Sequence, residues 1–299
     1  MALTAKRARA WSVDAVRFDA FGWLDLATRK PTLNFYAGSL PPEIIVMHYT
    51  ASYEATSAIN TFRNPMSKAS AHFVVGVDGA ITQMVSVRDD AWHAGYGEYQ
   101  GRAEVNRFSV GIEIVNPGYH FKAADGSYLD WQRAPVAKAK LTPFGGMTEA
   151  HDPWVGSAKV HWAHFPEQQL AALQQLTRTL LSTYPSITDI VGHRDVDGIR
   201  KLKVDPGPAF PMKRFTALLT KRPSAAVPKP TDYLVKSELG YVNVRLNPSI
   251  TAEKAGWSPL LNGDRVQQIG AKAEWFKVRR WRAGTPSEGW IMARYLVKA

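Results

Sequence analysis

Two imidazoles and two carboxylates stand at points where this sequence is otherwise apolar or stiff. His48 closes the run Glu43-Ile44-Ile45-Val46-Met47-His48-Tyr49, and Glu113 interrupts Ser109-Val110-Gly111-Ile112-Glu113-Ile114-Val115. His193 follows Ile190-Val191-Gly192, and Asp205 lies in Lys203-Val204-Asp205-Pro206-Gly207-Pro208-Ala209-Phe210. A lone carboxylate in an apolar strand is expensive unless it is paired or working. Proline and glycine fix the backbone around Asp205, so a ligand there needs little ordering. Two imidazoles and one carboxylate from separate elements make an open three-ligand zinc site, whose fourth position is left for water with a pKa lowered to about 7. Taken singly, a histidine at a strand end is more often an ordinary satisfied polar group, and a charged loop more often a solvated one. Their company is what favours chemistry.

The elements that must hold these groups can be read in outline. Residues 43–49 and 109–115 have the length and apolar character of buried strands. A helix is expected from about Ala55 to Arg63, stopped by Asn64-Pro65. Val77-Asp78-Gly79 between two apolar runs, 71–76 and 80–85, is a hairpin signature. Leu170, Leu173, Leu176, Leu180, Leu181 and Tyr184 form one face of a helix that opens near Pro166 and ends at Pro185. A last amphipathic helix is expected from Pro211 to Lys221. Residues 117–165 show no period and read as a long irregular insertion.

The chain has 299 residues, with 45% hydrophobic and 11% aromatic content, which excludes a disordered polymer and suits two domains. It has no cysteine, so any metal must use His, Asp or Glu. The net charge of +11 favours an anionic partner such as a nucleic acid, an acidic lipid or a wall polymer. The basic start is followed by no apolar core, since Asp14, Arg17, Asp19 and Asp25 interrupt it. No secretory signal and no membrane-inserting run is therefore expected. Residues 1–42, with Trp11, Phe18, Phe21, Trp23 and Phe35, read as an arm packed on the following domain. Residues 223–230 form a Pro-rich linker. Residues 231–299 are short β-rich pieces with 11 Lys and Arg against 6 Asp and Glu, a net of +5, and read as a small all-β barrel.

Several of these runs resemble a known family. Ser70-Ala71-His72-Phe73, Ala91-Trp92-His93-Ala94-Gly95, Tyr99-Gln100-Gly101-Arg102, Phe108 to Glu113, and the Gly192-His193 to Phe210 ending occur in the order found in the zinc-dependent N-acetylmuramoyl-L-alanine amidases of the type-2 amidase (peptidoglycan recognition protein) family. The resemblance spans roughly 43–220, and implies an α/β catalytic domain over 43–222 with a mixed central β-sheet flanked by helices, interrupted by the insertion at 117–165. It implies His48, His193 and Asp205 as zinc ligands, Glu113 as the acid/base, Lys203 beside the developing oxyanion, and Trp92, His93 and His72 near the substrate. The His193-to-Asp205 spacing is longer than the family's by about two residues, which leaves Arg200 or Lys201 as alternatives to Lys203. The tail resembles bacterial SH3-type domains in Val242-Asn243-Val244-Arg245-Leu246-Asn247-Pro248 and around Trp275 and Trp290.

The expected activity is hydrolysis of the amide between N-acetylmuramic acid and L-alanine in peptidoglycan, as an endolysin docked on the wall by its tail. A cytoplasmic amidase recycling muropeptides is the alternative. A non-catalytic peptidoglycan-binding protein is a further reading, argued against because all three ligand positions are filled. Nucleic-acid binding rests on charge alone and finds no motif, and the oligomeric state is not legible. In the insertion, Trp131, Trp154, His161 and Trp162 could line a sugar groove or simply pack, and a second metal site at His161 and His164 is disfavoured.

Overall fold

A computed structural model describes residues 16–19, 21–38, 40–197, 202–220, 232–272, 274–282 and 285–299. It divides into two compact units, residues 1–222 and 223–299. The alternatives at Arg200 and Lys201, the linker and Trp11 lie outside the described residues.

The first unit is built on a six-stranded mixed sheet. Its strands are β1 (Thr28–Arg29), β2 (Ile44–Tyr49), β3 (Phe73–Val75), β4 (Ile81–Gln83), β5 (Ser109–Ile114) and one reached later in the chain, β11 (Asp189–Gly192). They lie in the order β1-β4-β3-β5-β2-β11, and only the β3–β4 hairpin is antiparallel. That hairpin turns at Gly79, whose φ of +81° suits glycine, while Asp78 Oδ1 accepts from the Ala80 amide.

Helix α1 (Ala55–Arg63) ends because Asn64 is extended ahead of Pro65, and the Asn64 side chain then accepts from the Met66 amide. The long helix α2 (Glu167–Thr183) follows Pro166 and lays Leu173, Leu176 and Leu180 on the sheet. They meet Ile45, Met47, Val110, Ile112 and Ile114, and each buried leucine contributes about 1.5–3 kcal/mol. Helix α3 (Met212–Thr220) adds Phe215 and Leu218 to the same core. Phe18 and Leu24 of the N-terminal arm join it too, and Phe18 meets the rings of Phe73 and Tyr184 edge-on. The opposite face of the sheet carries Ile44 and Val46, covered by Ala94, Val105 and Phe108.

The insertion is not irregular. It forms a five-stranded antiparallel sheet of β6 (Tyr119–Lys122), β7 (Tyr128–Leu129), β8 (Pro135–Val136), β9 (Met147–His151) and β10 (Lys159–Ala163). Most of these strands are too short to show a period, and their exposed sides mix polar and aromatic residues.

The second unit has its own core of Val235, Val242, Val244, Leu260, Val266, Val278 and Ile291. Around it run β12 (Asp232–Val235), β13 (Tyr241–Val242), β14 (Leu260–Leu261), β15 (Arg265–Lys272), β16 (Trp275–Arg282), β17 (Thr285–Met292) and β18 (Leu296–Lys298). They make a five-stranded sheet, β17-β16-β15-β12-β18, and a separate β13–β14 pair.

Candidate active site

Register between parallel strands assembles the site. His48 at the end of β2 lies opposite Glu113 on β5, so both side chains leave the same face of the sheet. Gly192 at the end of β11 lies opposite Met47, and a single helical turn, His193–Val196, starts at once. That puts His193 beside His48, with ring centroids 4.4 Å apart. The loop carrying Asp205 then closes over both: Asp205 Oδ2 is 3.1 Å from His193 Nδ1 and 3.3 Å from His48 Nδ1. All three residues are buried, and their nearest ligand atoms lie within 4.8 Å of one another. Among the described residues this is the one cluster of three or more metal-ligating groups, and His161 and His164 are not part of it.

The tautomers follow from the hydrogen bonds behind the rings. Ser109 Oγ donates its only proton to the Val105 carbonyl at 2.6 Å, so at its 2.9 Å contact with His93 Nε2 it accepts. His93 therefore presents a bare Nδ1 to His48 Nε2, 3.0 Å away, which must donate. His48 is left with its Nδ1 lone pair pointing at a carboxylate oxygen. Two acceptors facing each other at 3.3 Å call for a cation between them. Two ligands of one tetrahedral zinc stand roughly 3.3 Å apart, so the spacing fits zinc as well as the donor types do.

The charge states agree. Burial lowers His48 to about 4, helped by the neighbouring His193 and opposed by Asp205. Burial also lowers His93 well below its ordinary value, and His72 to about 4. Neutral imidazoles are what a metal requires. Burial pushes the Asp205 carboxyl up, but the neighbouring His193 and His48 outweigh it and leave it well below the usual carboxylate range. Glu113 goes the other way. Desolvation, reinforced by the Asp205 charge and opposed by Lys203, holds it well above its ordinary value. Its Oε2 is enclosed and makes no hydrogen bond, so it is free for work. The side chain of Lys203 is exposed, yet its charge reaches both Glu113 and His48. Its amide is pinned by Asp197 Oδ2 at 3.0 Å.

Of the residues expected near the substrate, Trp92 is partly exposed and lines an open groove with Tyr36, its ring 5.0 Å from that of Tyr36; none of His48, His193 and Asp205 lines that groove. His93 and His72 lie below the surface with both ring nitrogens engaged, which does not fit contact with substrate. His72 Nδ1 accepts from the Gly111 amide and its Nε2 donates to the Asp89 carbonyl. His93 is a support for His48, and its own amide is held by Asn106 Oδ1. In the insertion, Trp162 is buried and lines no open groove, Trp154 is partly exposed with Arg194 over its ring, and Trp131 is half exposed.

Ser109, Asn106 and Asp197 escaped the reading of the sequence. Ser109 was findable, because Ser109, Gly111 and Glu113 alternate as small or polar residues along one face of an apolar strand.

Comparison with known proteins identifies the family. The chain is 33% identical over 153 residues to the 1,6-anhydro-N-acetylmuramyl-L-alanine amidase AmpD of Salmonella typhimurium, a match covering 51% of this chain and 58% of that one. It is 26% identical over 181 residues to the N-acetylmuramoyl-L-alanine amidase AmiD of Escherichia coli, covering 58% and 51%. It thus spans little more than half the length of these curated relatives. A solved AmpD structure, a selenomethionine derivative, overlays with a TM-score of 0.47 at 25% identity, covering 68% of this chain and 98% of that one. The profile of the family described as N-acetylmuramoyl-L-alanine amidase matches residues 38–208. That stretch is more than half of the sequence and contains His48, Glu113, His193, Lys203 and Asp205, and the chain belongs to the N-acetylmuramoyl-L-alanine amidase family.

Proposed function

We propose that the protein is a zinc-dependent hydrolase of the amide between N-acetylmuramic acid and L-alanine in peptidoglycan. The observation that carries this is the pair of facing acceptors, His48 Nδ1 and Asp205 Oδ2, with Glu113 in register one strand away. His48, His193 and Asp205 would hold the metal, which supplies Lewis acidity toward water and the scissile carbonyl. Hydrolysis adds the hydroxyl of water to the carbonyl carbon and a proton to the leaving nitrogen. Glu113 takes that proton from water and delivers it to the amine, a task suited to a carboxylate whose pKa desolvation has raised. The Lys203 ammonium stabilises the oxygen charge that develops between the two transfers. A filled ligand set and an unpaired Glu113 argue against a purely binding role.

The tail is read as an SH3-type module that binds the wall, which favours an endolysin acting on intact peptidoglycan. Relatives named as 1,6-anhydro-N-acetylmuramyl amidases favour a second reading, a recycling enzyme acting on soluble muropeptides. Initial rates on intact sacculi against soluble anhydro-muropeptides separate the two.

The metal assignment is tested by elemental analysis and amine release. Wild type should carry zinc stoichiometrically and lose activity when a chelator strips it. Asp205→Ala should retain no zinc, because two imidazoles alone underligate the ion. Full occupancy in that variant would sink the assignment.

A further inference from the structure

The inserted sheet ends in two anchors that reach the loops carrying His193 and Asp205. Asp152 follows β9, is 2% exposed, and its Oδ2 accepts from Arg194 Nη1 at 2.6 Å. The Arg194 guanidinium also lies over the Trp154 ring, 4.6 Å from its centroid. Arg194 directly follows His193, and its backbone amide donates to the Asp205 carbonyl at 3.1 Å. One residue thus ties the insertion to the main chain at two ligands.

The second anchor is Trp162 on β10, which is 1% exposed. Its ring fills the space beside Gly207, two residues past Asp205; a Cβ at Gly207 would come within 2.4 Å of it. Gly207 has a φ of +76°, so the loop is a glycine turn pressed against an indole face. A third contact lies nearby, where Gly118 at the root of the insertion approaches the ring of Tyr49, the neighbour of His48.

We propose that the inserted sheet is a brace for the metal loops, with Asp152 and Trp162 as positioning residues that hold His193 and Asp205 at ligand spacing. This rests on the zinc reading above. The His193 turn is only four residues long, and the Asp205 segment is a loop without ladder bonds of its own. Such elements keep a fixed geometry only if something outside them is rigid. A buried charge-assisted pair and an indole against a glycine turn provide that, as outer partners of metal ligands do.

The test is the zinc affinity of the full chain, stripped of metal and titrated in competition with a chromophoric chelator. Asp152→Asn keeps the shape of the side chain and removes its charge. Its zinc affinity is expected to fall by about tenfold to a hundredfold, the scale for losing an outer partner, and zinc release should quicken. The metal-free protein should melt within a few degrees of wild type, since the main core is elsewhere. Arg194→Lys keeps a cation but loses the planar fork and the stack on Trp154, and should weaken zinc in the same direction; it also serves if Asp152→Asn folds poorly. The double variant should be no weaker than the worse single one, because both break one contact. Wild type that binds zinc while both variants bind it equally well overturns the brace alone. Wild type that takes up no zinc overturns the metal assignment and the brace with it.

Discussion

At the scale of single residues, Glu113 meets two opposed demands. Its carboxyl must be partly desolvated to hold a raised pKa, and that same desolvation costs stability once it ionises. Its folded pKa lies above the ordinary 4.5, so the folded state grips the proton more tightly than the unfolded chain does. Stability therefore falls as pH rises from 4.5 toward the folded value. Glu113→Gln removes this penalty while keeping shape. Metal-free Glu113→Gln should melt above metal-free wild type at pH 7, and the gap should close as pH drops below 4.5. The same change should lower turnover by about 100- to 10,000-fold, the usual scale for a positioned proton-transfer group. A merely structural carboxylate in the same apolar site would give the pH-dependent gap without the loss of turnover. Calorimetry across pH, with rates measured on the zinc-loaded protein, tells the two roles apart.

At the scale of elements, the site depends on how closely β5 lets its neighbours approach. Gly111 lies on the same face as Glu113, and a Cβ there would come within 2.3 Å of His93 Cγ. Gly111→Ala should push His93 off His48 and Ser109, costing about 1–3 kcal/mol as overpacking and freeing the His48 ring to turn. A drop in melting temperature together with weaker zinc binding is expected, and unchanged values for both would refute the tautomer chain.

The same strands show what was legible in the sequence. Runs 43–49 and 109–115, the Asp78-Gly79 hairpin and the leucine face of α2 are local patterns, and each appears as an element where it was expected. Register is not local. Nothing in residues 44–49 states that His48 will lie opposite Glu113; the residue types suggested a three-ligand site, and the family motifs were needed to favour it over ordinary polar residues. The insertion was illegible for a related reason. Its strands pair across the turns, and its aromatic residues pack across strands, Tyr119 on Trp162 and Tyr128 on His161, in contacts that no local period announces. Trp162 could be seen as an aromatic residue, but its partner, Gly207, could be found only in three dimensions.

At the scale of the molecule, the two units have separate cores, and among the described residues none of the tail's core belongs to the main one. The tail's acidic groups are partly spent inside it: Glu288 pairs with Lys277 and Arg279, Asp264 with Arg280, and Asp232 with Arg265. The excess of +5 is left unbalanced within the tail, and an anionic wall polymer would be of the right sign to meet it. Removing residues 223–299 should leave hydrolysis of soluble muropeptide nearly intact, because every ligand, Glu113 and Lys203 stay behind. On intact sacculi the truncated chain should be slower, since tethering raises the local concentration of the active site. The deficit should shrink as salt rises from about 0.05 M to 1 M, where the screening length falls to about 3 Å and a charged anchor loses its hold. Equal losses on both substrates would make the tail part of the catalytic unit. A deficit on sacculi that ignores salt would instead assign the anchoring to shape and apolar contact, and the tail's charge to something else.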